Sequence, residues 1–150
     1  MTFSQIDDQN PEEDRNLCRI SVMLVDDDPV FLKMMETWLY TRHRDEIYVV
    51  GSARSGEECL ALAQVLAPQV VLIDLQMPGM GGLGTIPLLH ILFPQMRILA
   101  LTHNDCVRTR RMVLAAGGHE LISKSVVRSE LFPALQRALK IDAAETIEFA

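Results

Sequence analysis

Val70-Val71-Leu72-Ile73-Asp74-Leu75-Gln76-Met77-Pro78-Gly79-Met80-Gly81-Gly82 decides the architecture. Four apolar residues run without a polar break into an acid and then into a loop rich in glycine and proline. A strand that is apolar at every position is covered on both faces. Val70 to Asp74 is therefore expected to be the central strand of a sheet with helices on both sides, and its acid lies where the chain leaves that sheet.

Working outward, the same grammar recurs. Ile20 to Val25 ends in Asp26-Asp27-Asp28, and Ile47 to Ala53 precedes Ser55, an N-cap residue with Glu57 and Glu58 in the first turn behind it. Arg97 to Leu101 ends in Thr102, and Glu120 to Ser123 ends in Lys124. Helical spacing fills the intervals. From Pro29, Val30, Met34 and Trp38 repeat beside Phe31, Met35 and Leu39, which predicts one apolar face. Cys59, Leu62, Ala63 and Leu66 form the next stripe. Gly84 and Pro87 weaken the third helix, which is expected to start late with Thr85 as its cap. A fourth is expected from Asp105 to Ala116, stopped by Gly117-Gly118, and the last, capped by Ser129, repeats Leu131, Leu135 and Leu139. Strands alternating with helices make a parallel α/β sheet.

In such sheets the strand ends converge on one crevice. Asp26, Asp27, Asp74, Thr102 and Lys124 would meet there. Three carboxylates in one crevice repel by about 4 kcal/mol per pair at roughly 4 Å and an effective dielectric near 20. A cation would offset that, and oxygen ligands without a His or Cys cluster favour a hard ion, Mg²⁺. Asp27 and Asp74 are expected as direct ligands and Asp26 as a ligand through water. Asp74 is the expected nucleophile toward a phosphoryl group, with Lys124 pairing one phosphoryl oxygen and Thr102 donating to another. Each of these residues alone also reads as a solvated turn acid, an ordinary strand end or a surface charge; their order along the chain points to one site.

Taken together, Val22 to Pro29 (VMLVDDDP), Val70 to Gly82 (VVLIDLQMPGMGG), Ile98 to Thr102 (ILALT) and Ala115 to Lys124 (AAGGHELISK) resemble the receiver domain of bacterial two-component response regulators over about residues 20–140. The resemblance implies a doubly wound, flavodoxin-like, five-stranded parallel sheet of order 2-1-3-4-5. It also implies Mg²⁺ on Asp27, Asp74 and the backbone carbonyl of Gln76, and phosphorylation of Asp74 by a sensor histidine kinase or phosphotransfer protein. Further implied partners are an output domain or protein on the face carrying Arg108, Arg110 and Arg111, and a second copy of the chain. Ala116 to Ser125 (AGGHELISKS) resembles regulators joined to a helix-turn-helix output domain.

Three positions depart from the family pattern. Leu121 stands where an aromatic is usual, Ser125 replaces the common proline after the lysine, so no cis peptide is expected there, and His103 replaces a small residue and is expected to face solvent. Gln76 and Asn104 occupy positions that tune acyl phosphate hydrolysis in the family. Gln76 also counts against an aspartate-nucleophile phosphohydrolase, which places its acid/base aspartate there. The three acids Asp26 to Asp28 count against a flavin phosphate loop. A phosphorylation-independent interaction module with the same fold is the remaining alternative.

Composition bounds the rest. The 150 residues are 49% hydrophobic, enough for one core. The net charge of −6 is concentrated at the ends: residues 1–20 carry five acids and two bases, and residues 141–150 three acids. Residues 1–19 are expected to be an acidic flexible arm and residues 141–150 a tail or the start of a linker. No basic patch suggests nucleic acid, and no apolar run suggests a membrane span. The acidic start is the opposite of a targeting leader, so a cytoplasmic setting is expected. Cys18, Cys59 and Cys106 lack metal or redox spacing and are expected to be free thiols.

Overall fold

A computed structural model describes the backbone of residues 19–148 and the side chains of residues 19–140. The expected acidic arm up to residue 18, with Cys18, lies outside the described residues, as do the side chains of residues 141–150. The elements are β1 (Ile20–Val25), α1 (Pro29–His43), β2 (Ile47–Ala53), α2 (Gly56–Leu66), β3 (Val70–Asp74), α3 (Gly81–Leu92), β4 (Arg97–Thr102), α4 (Val107–Ala116), β5 (Glu120–Ser123) and α5 (Val127–Glu148). A single 3-10 turn, Lys124–Val126, joins β5 to α5.

All neighbouring strands are parallel, in the order β2-β1-β3-β4-β5. The sheet is central and every residue of β3 is buried, as its unbroken apolar run requires. Period-two alternation sends the two sets of strand side chains into separate cores. Val22, Leu24, Leu72, Leu99, Leu101 and Ile122 pack with Leu32, Met35 and Leu39 of α1 and Leu131 and Leu135 of α5. Met23, Val25, Val71, Ile73, Ile98 and Ala100 pack with Cys59 and Ala63 of α2, Ile86 and Leu89 of α3 and Val113 of α4. Among the described residues no helix is long and apolar enough to cross a membrane.

The register assembles the crevice. Val25 pairs with Ile73, Asp74 with Leu101 and Thr102 with Ser123. Asp26 and Asp74 therefore leave the sheet at one level, with Thr102 one residue and Lys124 two residues beyond it on the same edge.

Four helical details differ from the sequence expectation. In α1 the buried residues are Leu32, Met35 and Leu39, while Val30 is 75% exposed and Met34 40% exposed. Both candidate rows are apolar, so periodicity did not separate them; packing against the sheet does, burying Leu32, Met35 and Leu39 with Val22, Leu24 and Leu72, while the Asp28 carboxylate caps the helix by accepting from the Val30 N–H at 2.9 Å. In α3 the helix starts at Gly81, not at a Thr85 cap. Thr85 is buried and its hydroxyl donates back to the Gly81 carbonyl at 2.7 Å. The early start depends on Gly82, whose N–H donates to the Leu75 carbonyl and where a Cβ would stand 2.3 Å from the Asp74 carbonyl oxygen. Pro87 is accommodated inside this helix, between the buried Ile86 and Leu89. In α4 the helix starts at Val107, two residues after the expected Asp105, with Cys106 at the N-cap position and the Asp105 carboxylate accepting from Arg110. In α5 the helix starts at Val127, and the Ser129 hydroxyl donates to the Val126 carbonyl instead of capping.

Other expectations hold. Ser55 caps α2 by accepting from the Glu58 N–H at 3.1 Å. Gly117 ends α4 at a φ of 109°, with its N–H and that of Gly118 closing on Leu114 and Val113 carbonyls.

Candidate functional site

Asp26 is the residue after β1, and its N–H still continues the ladder by donating to the Ala53 carbonyl. Its side chain is buried, accepts from the Asp28 N–H at 2.9 Å and receives the Lys124 ammonium at 2.7 Å. Asp27 is half-buried beside it, on a backbone whose carbonyl accepts from Arg54 at 3.3 Å. Asp74 closes the set from β3, with Oδ1 accepting from the Gln76 N–H at 3.2 Å and standing 3.4 Å from Lys124 Nζ. One oxygen from each of Asp26, Asp27 and Asp74 lies within 4.8 Å of the others.

Electrostatics follow from this crowding. Burial, and then the charge of Asp26, push the Asp74 carboxyl above its ordinary range; the Gln76 N–H and Lys124 pull it partly back. One ammonium against three carboxylates leaves an excess of two negative charges. An oxygen-only donor set with that excess fits a hard divalent cation. Lys124 itself is held by three neighbours: the two carboxylates and the face of Phe31, whose ring centroid is 4.3 Å from Nζ.

Thr102 ends β4 with 2% exposure, and its Oγ1 accepts from the Asn104 N–H at 3.1 Å. Its own O–H proton is therefore left for another acceptor. Gln76 points outward while its backbone stays at the crevice through the bond to Asp74. His103 is exposed, as expected, and Leu121 is buried in the core shared with α2, α3 and α4. The described residues contain no cis peptide. Arg108, Arg110 and Arg111 are all exposed on α4, with Arg110 tied to Asp105 at 3.1 Å. Phe31 and Arg54 are the contributors that periodicity and motif reading missed: the first resembled plain core, and the second lies on a loop whose approach to Asp27 only the fold reveals.

Residues 22–136 match the family described as the response regulator receiver domain. The chain belongs to that family. Receiver domains are phosphoacceptor switches of two-component signalling, not a catalytic family in general, and they bind Mg²⁺ and work with histidine kinases and output domains. The receiver is 30% identical over 129 residues to the probable transcriptional regulatory protein TcrX of Mycobacterium tuberculosis, covering 86% of this chain and 53% of that protein. It is 37% identical over 94 residues to the response regulator GacA of Pseudomonas protegens, covering 61% of this chain and 43% of GacA. The receiver thus spans about half the length of these relatives. Among solved structures, it superposes on a LuxR-family response regulator from Aurantimonas with a TM-score of 0.75 at 26% identity, covering 81% of this chain and 86% of that one. The chemotaxis protein CheY4 of Vibrio cholerae gives 0.70 at 25% identity, covering 80% and 98%.

Proposed function

We propose that Asp74 is the phosphoacceptor of this receiver and that Asp27, Asp74 and the Gln76 carbonyl hold Mg²⁺ directly, with Asp26 bound to it through water. The observation that carries this reading is the convergence of three carboxylates within 4.8 Å on a lysine that reaches two of them. A carboxylate oxygen of Asp74 attacks the phosphorus of a phosphohistidine; the P–N bond breaks and its electron pair stays with the imidazole. Mg²⁺ held by Asp27, Asp74 and the Gln76 carbonyl would supply screening of the phosphoryl oxygens' negative charge. Lys124, already within reach of Asp74, pairs with one of those oxygens, and the Thr102 O–H donates to another. The phosphoryl donor is a sensor histidine kinase or phosphotransfer protein, and small phosphoryl donors replace it in the chain's own Mg²⁺-dependent phosphorylation.

Phosphorylation then changes what Lys124 and Thr102 contact, at the ends of β5 and β4. These strands lead to α4 and α5, so a partner or output domain reads the change on the Arg108, Arg110 and Arg111 face, in a cytoplasmic setting. Leu121 is aliphatic and buried, so the switch works without a swinging aromatic ring.

Intact mass after incubation with acetyl phosphate and Mg²⁺ tests this. One added phosphoryl group is expected, absent in Asp74→Asn and in chelated samples. A folded chain that binds Mg²⁺ and takes up no phosphoryl group overturns the assignment.

A further inference from the structure

The row of α1 that carries Val30 and Met34 lines a groove of ≈ 670 Å³ outside the Asp26, Asp27 and Asp74 cluster. Its apolar lining includes Val30, Met34 and Trp38, and its charged lining is Lys33, Arg42 and, from the start of α5, Arg128. All three cations are exposed, and no carboxylate lines the groove. The nearest acids on this stretch are otherwise placed: Asp28 caps the helix and Glu36 lies outside the lining. An apolar lining with unmixed cationic charge fits an acidic segment that also carries apolar side chains.

Residues 1–18 of this chain are such a segment. They hold Asp7, Asp8, Glu12, Glu13 and Asp14 against Arg15 alone, together with Phe3, Ile6 and Leu17. The described chain begins beside the groove, since the Arg19 guanidinium donates to the Arg44 carbonyl at 3.1 Å and lies over the Tyr48 ring, just past the end of α1. From Val30 to Arg42 the helix covers about 18 Å at 1.5 Å per residue. An extended chain advances about 3.3 Å per residue, so roughly six residues span it. Glu12, Glu13 and Asp14 precede Arg19 by five to seven residues, a length of chain sufficient to reach the far half of the groove, where α5 contributes Arg128.

We propose that the acidic segment 1–18 docks in this groove, with Glu12, Glu13 and Asp14 against Lys33 and Arg128 and apolar side chains over Met34 and Trp38. The groove ends at Pro29 and Val30, two residues beyond Asp27, so the docked segment borders the crevice without entering it. The docking does not depend on the role assigned to Asp74.

Trp38 is the only tryptophan of the chain and lies in the groove, so its fluorescence reports occupancy directly. Acrylamide quenching of the full chain at constant pH is compared with the triple variant E12K/E13K/D14K and with the control D142K/E145K. Quenching is expected to rise about twofold in the triple variant and in the native chain at about 1 M salt, where charges are screened beyond roughly 3 Å. The control is expected to stay unchanged. K33E/R128E should release the segment as well, and combining it with the triple variant should restore protection. Equal quenching of the native and arm-reversed chains at low salt overturns the docking. Protection that is lost on dilution of the native chain assigns the groove to a second copy and also overturns it.

Discussion

The aromatic ring of Phe31 faces the Lys124 ammonium, with Nζ 4.3 Å from the ring centroid, while the same nitrogen donates to Asp26 at 2.7 Å. A residue near the start of α1 thus sets the position of a lysine that follows β5. A partly desolvated cation–π contact contributes about 0.5–2 kcal/mol. The ring also limits where the ammonium can go when Asp74 changes charge. Phe31→Leu, which keeps apolar volume but loses the ring face, is expected to slow phosphorylation by acetyl phosphate by about fivefold, with about 1 kcal/mol lost from the barrier-lowering contact. Phe31→Tyr should retain the native rate. Single-turnover mass spectrometry of the three chains distinguishes this from a general packing defect, which would lower thermal stability and leave the rate of the folded fraction intact.

Asp74 predicts a specific dependence on pH. Its folded carboxyl is raised above the ordinary value by burial and by Asp26, so the folded state binds the proton more tightly than the unfolded state does. Its contribution therefore favours folding at low pH and is lost as pH rises through the raised value. A divalent cation prefers the charged form, so stabilisation by Mg²⁺ should grow over that same interval. Melting temperatures of the native chain and Asp74→Asn, each with Mg²⁺ and with a chelator from about pH 4 to 8, test both signs around the ordinary carboxylate range. In chelator the native chain should lose stability relative to Asp74→Asn as pH rises. Adding Mg²⁺ should narrow that gap, and phosphoryl uptake should fall as pH drops through the interval.

Gly82 links the fold to the backbone of the same residue. A Cβ there would meet the Asp74 carbonyl oxygen at 2.3 Å and the Leu75 Cα at 2.7 Å, both backbone atoms that cannot swing aside. Gly82→Ala is therefore expected to push α3 from the end of β3 and cost about 1–3 kcal/mol. At roughly 2–4 °C per kcal/mol for a chain of this size, the melting temperature should drop by several degrees. Gly79→Ala in the same loop meets nothing within 4 Å but holds a φ of 75°, so its cost should be limited to backbone strain. A larger loss for Gly79 than for Gly82 would contradict this division.

The sheet was legible because four of the five strands run into a polar or charged residue of the crevice, and because the apolar run before Asp74 is short and bounded by Gln69 and a glycine- and proline-rich loop, as a covered strand is. The crevice was legible for the same reason, since parallel register converts chain position into spatial level. What escaped depended on contacts between distant segments. The tight approach of Gly82 to Asp74 starts α3 early, and Thr85 sits mid-helix as a consequence. The two apolar rows of α1 are equivalent by periodicity, and only docking on the sheet buries Leu32 and exposes Val30. Ser129 has cap chemistry, yet the 3-10 turn after Lys124 already begins the helical path.

The thiols separate by environment. Cys59 is fully buried and its pKa is pushed up to about 12 by that burial. Cys106 is exposed at the start of α4, and its Sγ lies 3.2 Å from the Thr109 hydroxyl, the first of the contacts that lower its pKa. Thiolate, not thiol, attacks a disulfide reagent. Cys106→Ser is therefore expected to remove one fast-reacting equivalent from the native chain in a colorimetric thiol assay near neutral pH. Cys59→Ser should change the native trace little and lose its equivalent only after denaturation. Because Cys106 follows Thr102 by four residues and lies outside the Asp26, Asp27 and Asp74 cluster, its modification should leave Mg²⁺ binding unchanged. A native Cys59 that reacts as fast as Cys106 would mean that the core between α2 and the sheet opens readily.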